Sequence, residues 1–288
     1  MPGRDRRREQ TLAEILLPHH RFQVDARLGA LRLAVVAELS APWTVLFGPS
    51  GSGKSTLLRA LCGLVPEAAV TFSRCVSEAP RVLVEDLPRV AGTVWTPLTL
   101  RPTHRRDLAY SPQHAALFPH LSVRDNVRFP FQVCSEPPLN SGLVDEALTL
   151  FHLHSLVERM PRDLSGGERR RVSLARAFAT PSARLMILDE PFSGLDRGLR
   201  DELLVGLRAA LVVRGLPVLS VTHDVDEALL LEVEVLRMEG GERGETRVLV
   251  LGGCPGGSLE TPISKCERSG APGGWRVGHL AEDYWLAF

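Results

Sequence analysis

The sequence lacks an excess of charge of either sign. Lysine plus arginine and aspartate plus glutamate both number 34 among 288 residues. No global field therefore attracts nucleic acid or an anionic membrane surface, and we expect no nucleic-acid partner. The sequence also lacks any apolar run that approaches the roughly 20 residues a membrane-spanning helix needs. Any role at a membrane is expected to depend on a partner protein.

Cysteine pairs and an export signal are missing as well. The five cysteines are odd in number and form no CxxC pair, which favours reduced thiols over a disulfide framework or a zinc site. The apolar stretch 12–17 is interrupted by Glu14 and ended by Pro18, so it is too short and polar for the core of a signal peptide. We expect residues 1–20, with the basic cluster 4–8, to be a flexible N-terminus and the protein not to be exported.

Strand patterns alternate with amphipathic helix patterns through the middle of the chain. Apolar strand candidates occur at 44–47, 185–188 and 217–221, and leucines at helical spacing predict helices at 143–160 and 197–214. Strands that alternate with helices predict an α/β fold with a parallel sheet, whose chemistry lies at the C-terminal ends of the strands. Short β-rich pieces broken by proline and glycine between residues 69 and 102 predict a small antiparallel β section.

A glycine-rich loop joins the first of these strands to a helix. Residues 48–55 match the pattern GxxxxGK[ST], in which glycines allow backbone N–H groups to wrap phosphates. In this pattern Lys54 reaches the β- and γ-phosphates and Ser55 holds Mg²⁺, while the helix N-terminus adds its dipole. The predicted nucleotide-binding residues of the loop are Gly48, Pro49, Ser50, Gly51, Ser52, Gly53, Lys54, Ser55 and Thr56.

Two adjacent carboxylates, Asp189 and Glu190, follow a second apolar strand. Phosphoryl transfer by a P-loop protein needs one carboxylate to complete the Mg²⁺ shell and a residue that polarises the attacking water. We therefore predict Asp189 as a metal ligand together with Ser55, and Glu190 as the general base. An isolated Asp-Glu pair is usually only a helix N-cap, so this interpretation depends on the P-loop in the same chain.

A P-loop and a carboxylate strand still permit a kinase, a GTPase or a helicase. The segment 164–168, Leu-Ser-Gly-Gly-Glu, narrows the choice, because it resembles the signature of the ABC family and is called the signature segment. Its two glycines and serine at a helix start can form a second anion site. With Gln113, the turn 193–196 and His223 in the same order, the chain resembles the ATP-binding subunits of ABC transporters over residues 21–240. The resemblance implies an ATP-binding domain with a P-loop NTPase core, a parallel sheet, a small antiparallel β section and a helical signature subdomain.

The resemblance also implies roles for particular residues. Ser165, Gly166 and Gly167 would contact the ATP held by an opposing subunit, so we expect a homodimer that closes around two ATP. Gln113 would be both a metal ligand and a catalytic residue that senses the attacking water, and His223 would contact the γ-phosphate. The implied partners are transmembrane permease subunits and, indirectly, an extracytoplasmic binding protein. The ATPase would lie peripherally on the cytoplasmic face of the cell membrane.

The sequence of residues 117–124, together with residues 27–29 and 192–196, is most similar to the importer ATPases for molybdate. Importer ATPases for iron(III), sulfate or polyamines share much of it, and a non-transport ABC ATPase is a further alternative. A module that binds nucleotide without hydrolysis is disfavoured by the intact catalytic residues. Aromatic and proline residues at 118–123 suit either a groove for the permease or packing within the helical subdomain.

Three departures from the family pattern stand out. Leu28 replaces the aromatic residue that usually stacks on adenine, and Phe22 is the only aromatic side chain nearby. The segment between Lys54 of the P-loop and Gln113 is longer than is usual in the family, so we expect an insertion at residues 75–100. Glycine and proline become dense in residues 241–288, which predicts a short C-terminal appendage in place of the oxyanion-binding barrel that molybdate importer ATPases often carry.

Overall fold

The computed structural model describes residues 20–29, 31–39, 41–77, 93–134, 142–224, 227, 234–240 and 245–251. Five α-helices and ten strands lie in this part of the chain. The helices are Lys54–Leu61 (α1), Val123–Val133 (α2), Gly142–Leu150 (α3), Gly166–Phe178 (α4) and Arg197–Arg214 (α5). The predicted flexible N-terminus lies outside the described residues, apart from His20, which begins the first strand.

The ten described strands form one sheet. They are His20–Leu28 (β1), Leu31–Leu39 (β2), Trp43–Phe47 (β3), Ala69–Ser77 (β4), Thr93–Pro97 (β5), Leu108–Ser111 (β6), Leu185–Asp189 (β7), Val218–Val221 (β8), Glu234–Gly240 (β9) and Glu245–Leu251 (β10). Their order across the sheet is β5-β4-β1-β2-β10-β9-β3-β8-β7-β6. Strands β9, β3, β8, β7 and β6 pair in parallel, and β5, β4, β1 and β2 pair antiparallel. The predicted α/β class with a small antiparallel section is confirmed.

The strand sequences explain this division. Strands β1 and β2 alternate buried and exposed side chains along most of their length, as in a sheet with one face in water. Strands β3, β7 and β8 are buried at every position, as expected for parallel strands covered on both faces. Since these three are parallel neighbours, their C-terminal ends lie side by side, under the loops that carry the predicted site residues.

Two hydrophobic cores cover the two faces of the sheet. Leu185 and Ile187 of β7 belong to a core with α1 and the antiparallel strands, whereas Met186 and Leu188 belong to a core with helices α2 to α5. The second core holds the predicted helical signature subdomain, in which α4 contacts α2 and α3. Within the described ranges, no helix combines the length and the apolar character that crossing a membrane requires.

The helix predicted at 143–160 is shorter than expected. Helix α3 ends at Leu150, and His152 takes a left-handed backbone with a φ of 52°. The N–H of Leu153 then bonds to the carbonyl of Leu148 at 2.8 Å. A bond of this kind around a left-handed residue closes a helix C-terminus, so the prediction was wrong for the second half of this segment.

The other elements predicted from periodicity are confirmed. Helix α5 matches the predicted range 197–214 at both ends. The side chain of Asp196 accepts from the N–H of Leu199 at 3.0 Å and caps its start, and Gly215 ends it with a left-handed φ of 58°. Strands β3, β7 and β8 correspond to the three predicted apolar strands.

Two regions that the sequence sets apart contribute strands to the sheet. The expected insertion, residues 75–100, contains the end of β4 and all of β5, which pair antiparallel at the sheet edge, and residues 78–92 lie outside the described part. The predicted appendage, residues 241–288, contains β10 (Glu245–Leu251), which lies between β2 and β9 in the sheet. Residues 252–288 are outside the described ranges, so the appendage stays a prediction for them.

Two truncations separate the parts of this tail. Removal of residues 252–288 is expected to leave ATP hydrolysis within a few-fold of the full chain, because the predicted site residues all precede this segment. Removal of residues 245–288 also deletes β10 and leaves β2 and β9 without their shared neighbour, so the unfolding temperature should fall by several degrees. ATPase assays measure the first expectation and thermal unfolding measures the second, each on both truncated chains. Equal stability of the two truncated chains would contradict the position of β10.

Candidate functional site

The glycine-rich loop turns tightly between β3 and α1. Gly51 and Gly53 have left-handed backbones, with φ of 80° and 92°, a conformation that glycine adopts without steric cost. Gly48 lies against β9, where an added Cβ would be 2.8 Å from the carbonyl oxygen of Met238. A side chain at any of these three positions would strain or block the path of the loop.

Lys54, the first residue of α1, reaches back across this loop. Its Nζ donates to the carbonyl oxygens of Gly48 and Pro49, both at 2.8 Å. The side chain is buried, and desolvation lowers the pKa of its ammonium, while the nearby carboxylates of Glu190 and Asp189 oppose that shift. An ammonium held at a glycine loop is a ready partner for a phosphate group.

One polar atom of the loop is buried without a partner. The Oγ of Ser52 makes no hydrogen bond within the described residues, although Ser52 is only 8% exposed. A buried hydroxyl without a partner is costly, so the loop fits a ligand that supplies the missing contact. At the rim Pro49, Ser50 and Gly51 are exposed, whereas Ser55 and Thr56 are half-buried in the first turn of α1.

A hydroxyl and a carboxylate meet beside the loop. The Oγ of Ser55 donates to Oδ1 of Asp189 at 2.9 Å, which joins the start of α1 to the end of β7. Asp189 is 2% exposed, and burial raises the pKa of its carboxyl. A carboxylate and a hydroxyl side by side offer the oxygen donors that Mg²⁺ prefers.

Glu190 follows β7 in an unusual backbone conformation. Its φ is 47°, in the left-handed region, where holding a non-glycine residue costs on the order of 1 kcal/mol. Its N–H bonds to the carbonyl of Val221 at 2.9 Å, which ties the turn to the end of β8. The carboxylate accepts from Nε2 of Gln113 at 3.2 Å, and its other oxygen lies 3.3 Å from Nδ1 of His223. The structure therefore brings the three predicted catalytic residues together at one carboxylate.

The signature segment lies at the N-terminus of α4, in the helical subdomain. The Oγ of Ser165 accepts from the N–H of Glu168 at 3.2 Å, and the carboxylate of Glu168 accepts from the N–H of Ser165 at 2.7 Å. An added Cβ on Gly166 would meet nothing within 4 Å, and one on Gly167 would be 3.2 Å from Cδ2 of Leu195. The segment is thus open on its outer side, and Ser165 is bonded within its own turn instead of to the P-loop of its chain.

Two residues near the site, one beside the carboxylates and one beside His223, are missing from the sequence-based prediction. Arg170 on α4 donates to the carbonyl oxygen of Pro112 at 3.4 Å and to Oγ of Ser193 at 3.3 Å. Glu227 is 7% exposed, and burial raises the pKa of its carboxyl to about 7. The available signal for Arg170 is its place in a run of three arginines after the signature segment. The sequence around Glu227, four residues after His223, contains no comparable signal for a role in the site.

The two residues considered for adenine stacking lie in different environments. Phe22 is 1% exposed, and its ring packs edge-on against Phe72 with 6.4 Å between ring centroids, so it is too buried to reach a nucleotide. Leu28 pairs with Leu31 at the β1–β2 turn. An added Cβ on Gly53 would be 3.2 Å from Cδ2 of Leu31, so this turn borders the glycine loop with leucine side chains.

A groove of about 1150 Å³ has walls from both the sheet edge and the helical subdomain. Its lining includes Phe118, Phe129 and the arginines Arg176 and Arg184. The rings of Phe118 and Phe129 pack at a centroid distance of 4.2 Å, and the guanidinium of Arg176 lies 5.2 Å from the centroid of the Phe118 ring. Phe118 therefore both packs within the subdomain and lines a groove.

Comparison with known proteins identifies several relatives of this chain. A model of the ABC transporter family matches residues 40–193. The molybdenum import ATP-binding protein ModC of Methylococcus capsulatus is 37% identical, over 93% of this chain and 69% of that protein. The sulfate/thiosulfate import ATP-binding protein CysA of Synechocystis is 37% identical, over 69% and 50%. The putative 2-aminoethylphosphonate import ATP-binding protein PhnT of Salmonella choleraesuis is 39% identical, over 71% and 51%.

The chain thus spans between 50% and 69% of the length of these relatives. Among solved structures, a dimeric ATP-binding cassette in a post-hydrolysis state with ADP and Pi is similar, with a TM-score of 0.61 and 23% identity. That match covers 80% of this chain and 98% of the other. At this identity the likeness concerns the fold alone.

Proposed function

Because the chain belongs to the ABC transporter family and is an ATPase of that family, we propose that it powers an importer as a homodimer attached to membrane permease subunits. The observation that carries this proposal is the carboxylate of Glu190, held by Gln113 and His223 directly after the Ser55–Asp189 pair. A proton acceptor, an oxygen pair for Mg²⁺ and a phosphate loop are the parts that ATP hydrolysis requires.

The glycine loop is proposed to bind the phosphates of ATP. Lys54 would exchange the two carbonyl oxygens that it now contacts for the β- and γ-phosphates, and the unpaired hydroxyl of Ser52 would gain a partner. Backbone N–H groups at the start of α1 add partial positive charge. The loop sequence and the conformation of its glycines both support this assignment.

The residues beside the loop fit a magnesium ion. Ser55 and Asp189 place a hydroxyl and a carboxylate oxygen 2.9 Å apart, and Mg²⁺ is commonly held by one or two such groups together with substrate phosphates. Gln113 is the third proposed ligand, on the loop that follows β6. When bound, the ion would neutralise charge on the phosphates during transfer.

Glu190 is proposed as the general base. Its two neighbours orient the carboxylate before water arrives. The carboxylate takes a proton from the attacking water as the water oxygen bonds to the γ-phosphorus, and the bond to the bridging oxygen breaks to release ADP and phosphate. The side chain of His223 is 67% exposed, which leaves it room to turn toward the γ-phosphate.

A second copy of the chain is proposed to complete each site. Ser165, Gly166 and Gly167 present a hydroxyl and backbone N–H groups at a helix N-terminus, which is an anion site. One chain with one glycine loop has no need of two γ-phosphate sites, and the open outer side of Gly166 leaves space for a ligand. Two such contacts, related by a two-fold axis, would enclose two ATP between the copies.

The groove beside the helical subdomain is proposed as the permease site. Its volume of about 1150 Å³ corresponds to roughly two turns of a helix with side chains. Tyr110 and Ala116, on either side of Gln113 in the sequence, line it, so a docked segment would lie next to the loop of the site. Docking there would hold the ATPase on the cytoplasmic face of the membrane, and an extracytoplasmic binding protein would act only through the permease.

Molybdate is the proposed cargo. Several relatives named for molybdenum import match between 69% and 93% of this chain at 36–40% identity, and the sulfate and aminoethylphosphonate relatives match 69% and 71% of it at similar identity. The number of molybdenum relatives supports the proposal. The cargo would contact the permease and the binding protein, so the site residues of this chain do not discriminate among these anions.

Reconstitution tests the proposal. With the molybdate permease of the same organism in liposomes and its binding protein present, ATP hydrolysis should rise with molybdate and not with sulfate, iron(III) or 2-aminoethylphosphonate. The Lys54→Ala chain, which is expected not to hydrolyse ATP, is the negative control. A rise with one of the other solutes would reassign the cargo, and no association with the permease would contradict the importer role.

A further inference from the structure

Arg170, in the second turn of α4, connects this helix to two loops of the site. Its Nη1 donates to the carbonyl oxygen of Pro112 at 3.4 Å, and its Nη2 donates to Oγ of Ser193 at 3.3 Å. Pro112 directly precedes Gln113, and Ser193 lies three residues after Glu190. One guanidinium therefore touches the segments on both sides of the Gln113–Glu190 contact.

The charge of Arg170 faces the carboxylate pair. The side chain is half-buried, and desolvation lowers the pKa of its guanidinium while Glu190 and Asp189 oppose that shift. Arginine remains protonated in proteins. Arg170 thus places a permanent cation among the loops that surround the two carboxylates.

The neighbouring arginines of the same run contact other parts of the chain. Arg169 donates to the carbonyl oxygen of Leu164 at 2.5 Å, next to the start of its own helix. Arg171 donates to the carbonyl oxygen of Phe151 at 2.9 Å, inside the helical subdomain. Of the three arginines, Arg170 is the one whose hydrogen bonds cross from the helical subdomain to the loops of the site.

Helix α4 joins these contacts to the signature segment. An α-helix rises about 1.5 Å per residue, so Arg170 lies roughly 7.5 Å along the axis from Ser165. The two residues belong to the same helical unit, so a rigid displacement of α4 would move both of them. A displacement of α4, such as closure on a partner's ATP would require, is therefore transmitted to Pro112 and Ser193 through the guanidinium.

We propose that Arg170 is a positioning residue that links engagement of the signature segment to the placement of Gln113 against Glu190. The inference rests on the proposed function, because it gives a route by which a second copy of the chain acts on the catalytic carboxylate. Through its bonds to Pro112 and Ser193, Arg170 fixes the loop that carries Gln113 relative to the turn that follows Glu190. It therefore affects turnover without contacting nucleotide.

Substitution of Arg170 separates this role from a purely structural one. Arg170→Gln should lower kcat by about tenfold to a hundredfold, as expected for misplaced catalytic groups, and should change the Kd for ATP by less than about twofold. Arg208→Gln removes the same charge from α5 and should hydrolyse ATP at the wild-type rate. Arg170→Lys keeps the positive charge but lacks the planar guanidinium that donates two hydrogen bonds, so its kcat should lie between those of Arg170→Gln and the wild type. It also provides a second variant if Arg170→Gln does not fold.

Two results would overturn the inference at this step. One is wild-type turnover by both Arg170 variants. The other is a loss of ATP affinity that parallels the loss of kcat, because that pattern indicates a general disturbance of the site and not a positioning role.

A double-mutant cycle tests whether Arg170 acts through Gln113. In a Gln113→Ala background, Arg170→Gln should reduce kcat far less than it does in the wild type, because the group that it positions is already absent. If the two substitutions lower kcat by factors that multiply, Arg170 and Gln113 act independently of each other. That result would overturn the proposed link. Glu190→Gln is measured alongside. Wild-type turnover by Glu190→Gln would remove the proposed function itself, whereas failure of the Arg170 predictions alone removes only the link.

Discussion

A Glu190→Gln chain is expected to bind ATP, to hydrolyse it about 10²- to 10⁴-fold more slowly and to accumulate as an ATP-bound homodimer. The amide keeps the size of the side chain and one acceptor oxygen toward Gln113 or His223. It does not take a proton from the attacking water. The reaction should therefore stop after the two copies have closed and before the bond to the γ-phosphate breaks.

Sedimentation velocity with and without ATP, in parallel with ATP binding, measures this result. Glu202→Gln is a matched control, since Glu202 is an exposed carboxylate paired with His152 on the helical side, and it should behave as the wild type. Addition of Ser165→Arg to the Glu190→Gln chain puts bulk and charge at the open start of α4 and should abolish the dimer without loss of ATP binding. A Glu190→Gln chain that stays monomeric at saturating ATP would contradict the homodimer.

A Lys54→Ala chain is expected to lose ATP binding and hydrolysis almost completely. The Nζ of Lys54 is the cation that lies across the glycine loop, bonded to the carbonyls of Gly48 and Pro49. Alanine is a good helix former at the start of α1, and the substitution removes a buried charge. The unfolding temperature should therefore change little. The variant should lose ATP binding while its fold stays intact.

Lysine labelling gives an independent measurement, because the chain has two lysines, Lys54 and Lys265. After reaction with an amine-selective reagent, mass spectrometry should show that ATP protects Lys54 and leaves the labelling of Lys265 unchanged. ATP titration of the Lys54→Ala chain, with thermal unfolding as the check on folding, completes the test. Wild-type affinity in this variant would argue against the loop as the phosphate site.

Local patterns were sufficient to predict the centre of the fold. Residues 44–47, 185–188 and 217–221 are continuous apolar runs, and they fall in strands β3, β7 and β8, which are buried at every position. Parallel strands covered on both faces have this composition. Because the C-terminal ends of such strands share one edge of the sheet, motifs that follow them along the chain also meet in space.

Pairings between distant segments could not be predicted in this way. Strand β10 pairs with β9 next to it in sequence and with β2 far earlier in the chain, and seven residues do not specify the second partner. The early end of α3 depends on a left-handed His152, a residue type that gives only a weak signal for that conformation. Phe22 is the only aromatic side chain near the position expected to stack on adenine, yet the alternation of β1 places it in the core.

The site shows the same division between residue type and arrangement. The apolar strand before it and the P-loop identified Glu190, whereas the resemblance to the ABC family identified Gln113 and His223. The roles of all three stay predictions. Their meeting at one carboxylate requires β6, β7 and β8 to lie side by side, which depends on the order of strands in the sheet. The contacts of Arg170 depend on how α4 crosses the loops, and a run of arginines alone does not specify that geometry.

The most direct test of a site shared between two copies is to mix two inactive variants. A Lys54→Ala chain carries an intact signature segment, and a Ser165→Arg chain carries an intact glycine loop. Only their mixed dimer would contain a complete site, one of its two, so the mixture should show ATPase activity that neither variant has alone, at most about half of the wild-type value. Activity no higher than the mean of the two variants measured alone would contradict the shared site.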